Sequence, residues 1–215
     1  MIAPFFGHLL LLWSAGTVNY EFDALFTEGC SCGNVCAAEI TGLDTKCHGI
    51  SGMQFISGKV GGTDISGAKA AWVFFPGSVE LFIDAPKAQQ AGVEFLIRHL
   101  ISDWGKMESV ENLPISITSE SVMIDSGKVA RMAIKPVTGK TGSFVSHGNL
   151  ASPLHDTIYQ GVTKSAEFND RGVMGRSFQM KETNAYFYPH CKMKGSFTDG
   201  AQTARVTASH GYGPL

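Results

Sequence analysis

The fold turns on residues 70–105, AAWVFFPGSVELFIDAPKAQQAGVEFLIRHLISDWG. Residues 70–75 form a fully apolar run of strand length, as expected of a core strand. Pro76-Gly77 is a turn, and residues 79–83 close a hairpin. The hydrophobic period then changes. Asp84 reads as a helix cap, Pro86 suits a first turn, and Gly105 suits an exit. Between them Val93, Leu96, Ile97, Leu100, Ile101 and Trp104 recur at the spacing of one buried helical face. Strand pattern followed by one clear helix predicts an α+β domain: an antiparallel β framework with one main amphipathic helix, near residues 86–104.

Outward from this stretch the signals are mostly β. Residues 20–27, 48–59, 115–120, 122–126, 129–137, 143–147, 159–168, 173–181 and 185–188 have strand character. Asp125-Ser126-Gly127 reads as a hairpin turn, and residues 60–67 as a turn-rich link. The chain has 215 residues, 25 of them glycine, which suits one domain of many short strands. Residues 2–15 are largely apolar but too short for a bilayer span of about 20 residues, so they fit a signal-peptide core. The expected organisation is a signal peptide over 1–19, a single α+β domain over 20–197, and a mobile tail over 198–215. That predicts an extracytoplasmic protein, periplasmic or secreted, with no stable membrane span after cleavage. The net charge of -2 and the lack of a basic stripe exclude a nucleic-acid partner.

Chemistry concentrates in one place. Cys30, Cys32, Cys36 and Cys47 have the spacing C-x-C-x3-C-x10-C. No C-x-x-C pair is present, which argues against thioredoxin-like and zinc-ribbon sites. Position 44 is Asp44, so Cys47-His48 lacks the partner cysteine of a c-type haem site. Cys30 and Cys32 are too close to bridge each other without strain. Their thiolates can instead meet one soft ion, copper(I) or zinc. Structural disulfides and reactive thiol chemistry stay open as alternatives. His147 and His155 flank a loop and are candidate additions to the metal shell. His48 adjoins Cys47 but suits a solvated turn. Cys191, the fifth cysteine, is a leftover thiol or a long-range partner. Residues 138–142 lack the upstream glycine of a P-loop, and no G-x-S-x-G elbow occurs.

Several stretches together carry a family resemblance: Thr27-Glu28-Gly29-Cys30-Ser31-Cys32, residues 57–67, Asp84-Ala85-Pro86, His147-Gly148-Asn149, residues 156–163, and Thr183-Asn184-Ala185-Tyr186-Phe187. Over roughly residues 20–197 the chain resembles the family called domain of unknown function 1326. Relatives carry Cys-Pro-Cys where this chain has Cys36-Ala37-Ala38. Some resemble exported bacterial proteins, which accords with a signal peptide ending before Tyr20. The family brings no biochemical activity with it.

The function expected is an exported, non-catalytic, cysteine-centred metal-binding protein for copper or zinc, with Cys30, Cys32, Cys36, Cys47, His147 and His155 as ligands. A secreted, disulfide-stabilised domain that binds a protein partner or a small ligand is the first alternative. A thiol oxidoreductase is the second.

Overall fold

The computed structural model describes residues 16–33, 36, 46–148, 157–198 and 207–208. The strands are β1 (Thr17–Cys30), β2 (Gly49–Val60), β3 (Thr63–Asp64), β4 (Lys69–Phe75), β5 (Gly77–Asp84), β6 (Gly105–Asn112), β7 (Ile115–Thr118), β8 (Ser121–Ile124), β9 (Ala130–Pro136), β10 (Ser146–His147), β11 (Ile158–Phe168), β12 (Phe178–Met180), β13 (Thr183–Thr198) and β14 (Thr207–Ala208). Among the described residues one α-helix, α1 (Lys87–Leu100), lies between β5 and β6.

All these strands belong to one sheet. Its main path runs β6-β5-β4-β2-β1-β13-β11-β9-β8-β7, with β3, β10, β12 and β14 paired beside it. Every pairing is antiparallel except β5 with β6. The path folds back on itself. Thr27 of β1 donates through Oγ1 to the carbonyl of Thr118 in β7 at 2.7 Å, and Ile115 N donates to Asp84 Oδ2 at 3.1 Å. The α+β expectation is therefore corrected. The molecule is mostly strand, a large mixed sheet curled in a barrel- or jelly-roll-like way. The helix packs on one face of that sheet. It is the crossover that the one parallel pair requires, since parallel neighbours cannot be joined by a tight turn.

The curl creates two cores, and β4 and β5 serve both. Ala70, Trp72 and Phe74 point to one side with Val79, Leu81 and Ile83, where Val93, Leu96, Ile97 and Leu100 of α1 cover them. Ala71, Val73, Phe75 and Phe82 point to the other, against Ile117, Val122, Ile124, Met132 and Phe168. Burial on both faces explains why residues 70–75 read as unbroken apolar sequence. Each large side chain of α1 contributes on the order of 1.5–3 kcal/mol by leaving water, before entropy is subtracted.

The helix boundaries differ in detail from expectation. Pro86 is the N-cap, and no side chain caps the helix. Asp84 instead accepts hydrogen bonds from Lys69 Nζ and Ile115 N, both at 3.1 Å. Gly105 pairs with Gly77, has φ of 132°, and a Cβ there would lie 2.2 Å from the Gly77 carbonyl carbon. Only glycine fits that entry to β6. Of the stretch 173–181, only Phe178–Met180 is strand. The preceding residues form a loop whose Arg176 donates to Ser78 Oγ and stacks over the Phe75 ring. β1 starts at Thr17, where it pairs with Thr198, so the ladder includes residues on both sides of the expected domain limits. Residues 1–15, most of the expected signal peptide, lie outside the described residues, as does most of the expected tail. Among the described residues, no helix is long and apolar enough to cross a membrane.

Candidate metal centre

β1 and β2 run antiparallel with Cys30 opposite Gly49, Gly29 opposite Ile50 and Glu28 opposite Ser51. Two steps beyond the last rung, the same register sets Cys32 opposite Cys47. The bonds there continue the ladder: Ser31 N donates to the His48 carbonyl at 2.8 Å, and His48 N donates to Ser31 Oγ at 3.0 Å. Cys32 and Cys47 form a disulfide with Cα atoms 5.8 Å apart, inside the usual range. The bond is thus a consequence of register. Gly49 makes the approach possible, because a Cβ at that position would meet the Gly29 carbonyl oxygen at 2.3 Å and the Phe74 ring at 2.6 Å.

Cys30 continues the inward face of β1 that carries Tyr20, Phe22, Ala24 and Phe26. Cys36 returns to the same place. Its Sγ lies 3.4 Å from Cys32 Sγ, and its backbone N–H donates to the Tyr186 hydroxyl at 2.9 Å. The sulfurs of Cys30, Cys32 and Cys36 all lie within 4.8 Å of one another. Four thiolates around a zinc ion at about 2.3 Å sit about 3.8 Å apart. The Cys32–Cys36 spacing of 3.4 Å lies near that value. Cys30 and Cys36 are buried thiols, while Cys32 and Cys47 are partly exposed.

A polar network holds Cys30 from behind. Asn184 Nδ2 donates to Cys30 Sγ at 3.5 Å, and Asn184 N donates to the Cys32 carbonyl at 3.0 Å. Gln160 Nε2 donates to Asn184 Oδ1 at 3.0 Å and also to the Gly161 and Ala185 carbonyls. With its nitrogen so committed, the Gln160 amide presents Oε1 to His147 Nε2 at 2.9 Å. The His147 nitrogen must therefore be the donor. His147 is thus connected to the cysteines through Gln160 and Asn184, and its ring packs edge-on to Tyr186 at 6.3 Å between centroids. It supports the site from outside the sulfur group. His155 lies outside the described residues.

The electrostatics favour a cation. The Cys30 thiol is pushed well above its ordinary pKa, first by its hydrogen bond with Cys36, then by burial, then by the charge of Glu28. Glu28 is itself buried and accepts from Ser51 Oγ at 2.7 Å. A thiolate at Cys30 thus needs a positive partner to offset its desolvation and the neighbouring carboxylate.

The other candidates fall elsewhere. His48 is on the opposite face, stacked near Phe178 and Phe75, and burial pulls its pKa down. Cys191 sits further along β13 opposite Ala24, a buried thiol pushed up to about 12 by burial and then by Asp23. The sequence alone does not mark Gln160, Asn184, Tyr186 or Glu28 as site residues.

No family model matches this chain, and no curated protein does. Among solved structures, an acetoacetate decarboxylase from Legionella pneumophila subsp. pneumophila str. Philadelphia 1 aligns at 10% identity over 89% of each chain, with a TM-score of 0.36. A likeness that slight carries no argument about either fold or activity.

Proposed function

We propose that this chain is an extracytoplasmic, non-catalytic protein that binds a soft metal ion, copper(I) or zinc, through Cys30, Cys32, Cys36 and Cys47. The observation that supports this reading is the convergence of three sulfurs within 4.8 Å, with the fourth cysteine joined to one of them. Soft thiolates select such ions. Zinc needs all four sulfurs and therefore the reduced chain. Copper(I) accepts fewer thiolates, so Cys30 and Cys36 suit it even while the disulfide stands. His147 acts through Gln160 and Asn184 to orient Cys30, in the manner of outer partners that tune a metal site.

The test is elemental analysis and anaerobic titration of the fully reduced protein with Cu(I) and Zn(II). About one ion per chain is expected, with uptake weakening as pH falls because Cys30 must release its proton. Cys36→Ser should bind weakly while staying folded. A reduced, folded wild type that takes up neither metal would overturn the reading. The Cys32–Cys47 bond favours the second reading, a disulfide-stabilised secreted domain that binds a protein or small ligand. That reading predicts no metal uptake and a loss of stability on reduction.

A further inference from the structure

We infer that the Cys32–Cys47 disulfide is exchangeable within the chain, with Cys36 as the attacking sulfur and Cys47 as the leaving one. This goes beyond the metal reading and does not depend on it. The geometry is that of an exchange centre. Cys36 Sγ lies 3.4 Å from Cys32 Sγ, close to van der Waals contact and already within reach of bond formation. Cys36 is held there through its backbone, whose N–H donates to the Tyr186 hydroxyl at 2.9 Å.

Chain spacing selects Cys36 over Cys30 as the attacking sulfur. A bond from Cys30 to Cys32 would join residues two apart, which the required geometry disfavours. A bond from Cys36 to Cys32 joins residues four apart and meets no such restriction.

The step balances within the protein. The Cys36 thiol loses its proton, and its sulfur attacks Cys32 Sγ. The Cys36–Cys32 bond forms and the Cys32–Cys47 bond breaks. The electron pair leaves on Cys47 Sγ, which takes up a proton. Cys36 is oxidised and Cys47 is reduced, so no external oxidant or reductant is consumed. The product carries a thiol at Cys47, which is partly exposed, in place of a thiol at the buried Cys36.

The sequence supplies a clean readout. Lys46 is the first lysine or arginine in the chain, so trypsin separates Cys47 from Cys30, Cys32 and Cys36. The full oxidised chain is incubated with N-ethylmaleimide and no reductant, quenched in acid, digested and mapped by mass spectrometry without reduction. The expected result is time-dependent release of the peptide 47–59 labelled at Cys47, with Cys32 bonded to Cys36 in the partner peptide. Its rate should rise about tenfold per pH unit below the pKa of the attacking thiol, as the thiolate fraction does. Cys36→Ser and Cys36→Ala should both abolish the label. Circular dichroism checks that each variant is folded, and the wild-type map stands even where a variant is not.

A wild type whose Cys47 stays unlabelled, and which shows no Cys32–Cys36 bond, would overturn the inference. Label that persists in folded Cys36→Ser would overturn it too. Metal titration of the same preparation after reduction reports separately on the metal reading.

Discussion

Glu80→Gln should stabilise the protein above neutral pH and leave it unchanged in mild acid. Glu80 lies on β5 in an almost fully buried position, 2% exposed, and its Oε1 has no hydrogen-bond partner among the described residues. Two carboxylates, Asp170 and Glu111, add to the cost of charge there, and Arg171 offsets part of it. Burial is the largest cause, and together they raise the Glu80 pKa from 4.5 to about 7. A carboxyl raised in this way binds its proton more tightly in the folded chain than in the unfolded one. The stability it supports is complete below about pH 4.5 and is lost as pH rises through about 7. Each pKa unit corresponds to about 1.36 kcal/mol. The Arg171–Glu111 pair is partly exposed, so solvent screening reduces the total. The loss expected is on the order of 1–3 kcal/mol. Glutamine keeps the shape and cannot ionise. Urea denaturation of both proteins between about pH 4 and pH 8 should give equal stabilities at the acid end and a variant ahead by that amount at the alkaline end. A variant less stable than wild type at about pH 8 would refute the reasoning. It would show that Glu80 is charged and usefully paired with Arg171 or Arg176.

Two further substitutions test the frame. Leu100→Ala removes a side chain that is 2% exposed beneath α1, and should cost about 2–5 kcal/mol by denaturant titration. Gly49→Ala forces a methyl group against the Gly29 carbonyl and the Phe74 ring. It should cost at least about 1–3 kcal/mol and weaken metal uptake by displacing the rung that aligns Cys32 with Cys47.

The strands and the helix of residues 70–105 were legible because burial imposes a period. Apolar residues on both faces of β4, and on one face of α1, follow directly from what each must cover. The fold class was not legible. It depends on which strands meet, and β6, with the polar sequence GKMESVEN, pairs in parallel through a crossover that no local pattern marks. β13 continues through Pro189, which reads as a strand breaker. Pro189 is tolerated because the register with β1 shifts there, between Ala24 opposite Cys191 and Phe26 opposite Tyr188. The cysteines announced themselves by clustering, but the Cys32–Cys47 pairing needed the β1–β2 register. Asn184 and Tyr186 approach from about 150 residues away, as the contacts Asn184–Cys30 and Cys36–Tyr186 show. His147 was visible as a chemical type, yet its place behind Gln160 is set by the β10–β11 pairing.

The two longest strands, β1 and β13, lie side by side in the middle of the sheet although they come from opposite ends of the chain. During synthesis β1 emerges first and waits for its neighbour. At about 5–20 residues per second, the 181 residues that follow Thr17 up to Thr198 take roughly ten to forty seconds. For that time one edge of β1 stands open to other chains. The β1–β2 hairpin, by contrast, is complete once Val60 is made, so Cys47 can reach Cys32 early. Asn184 and Tyr186 arrive late, and only then is Cys30 held and Cys36 drawn inward. A nascent chain oxidised too soon therefore meets its first sulfur partners before the strand that arranges the rest of the site.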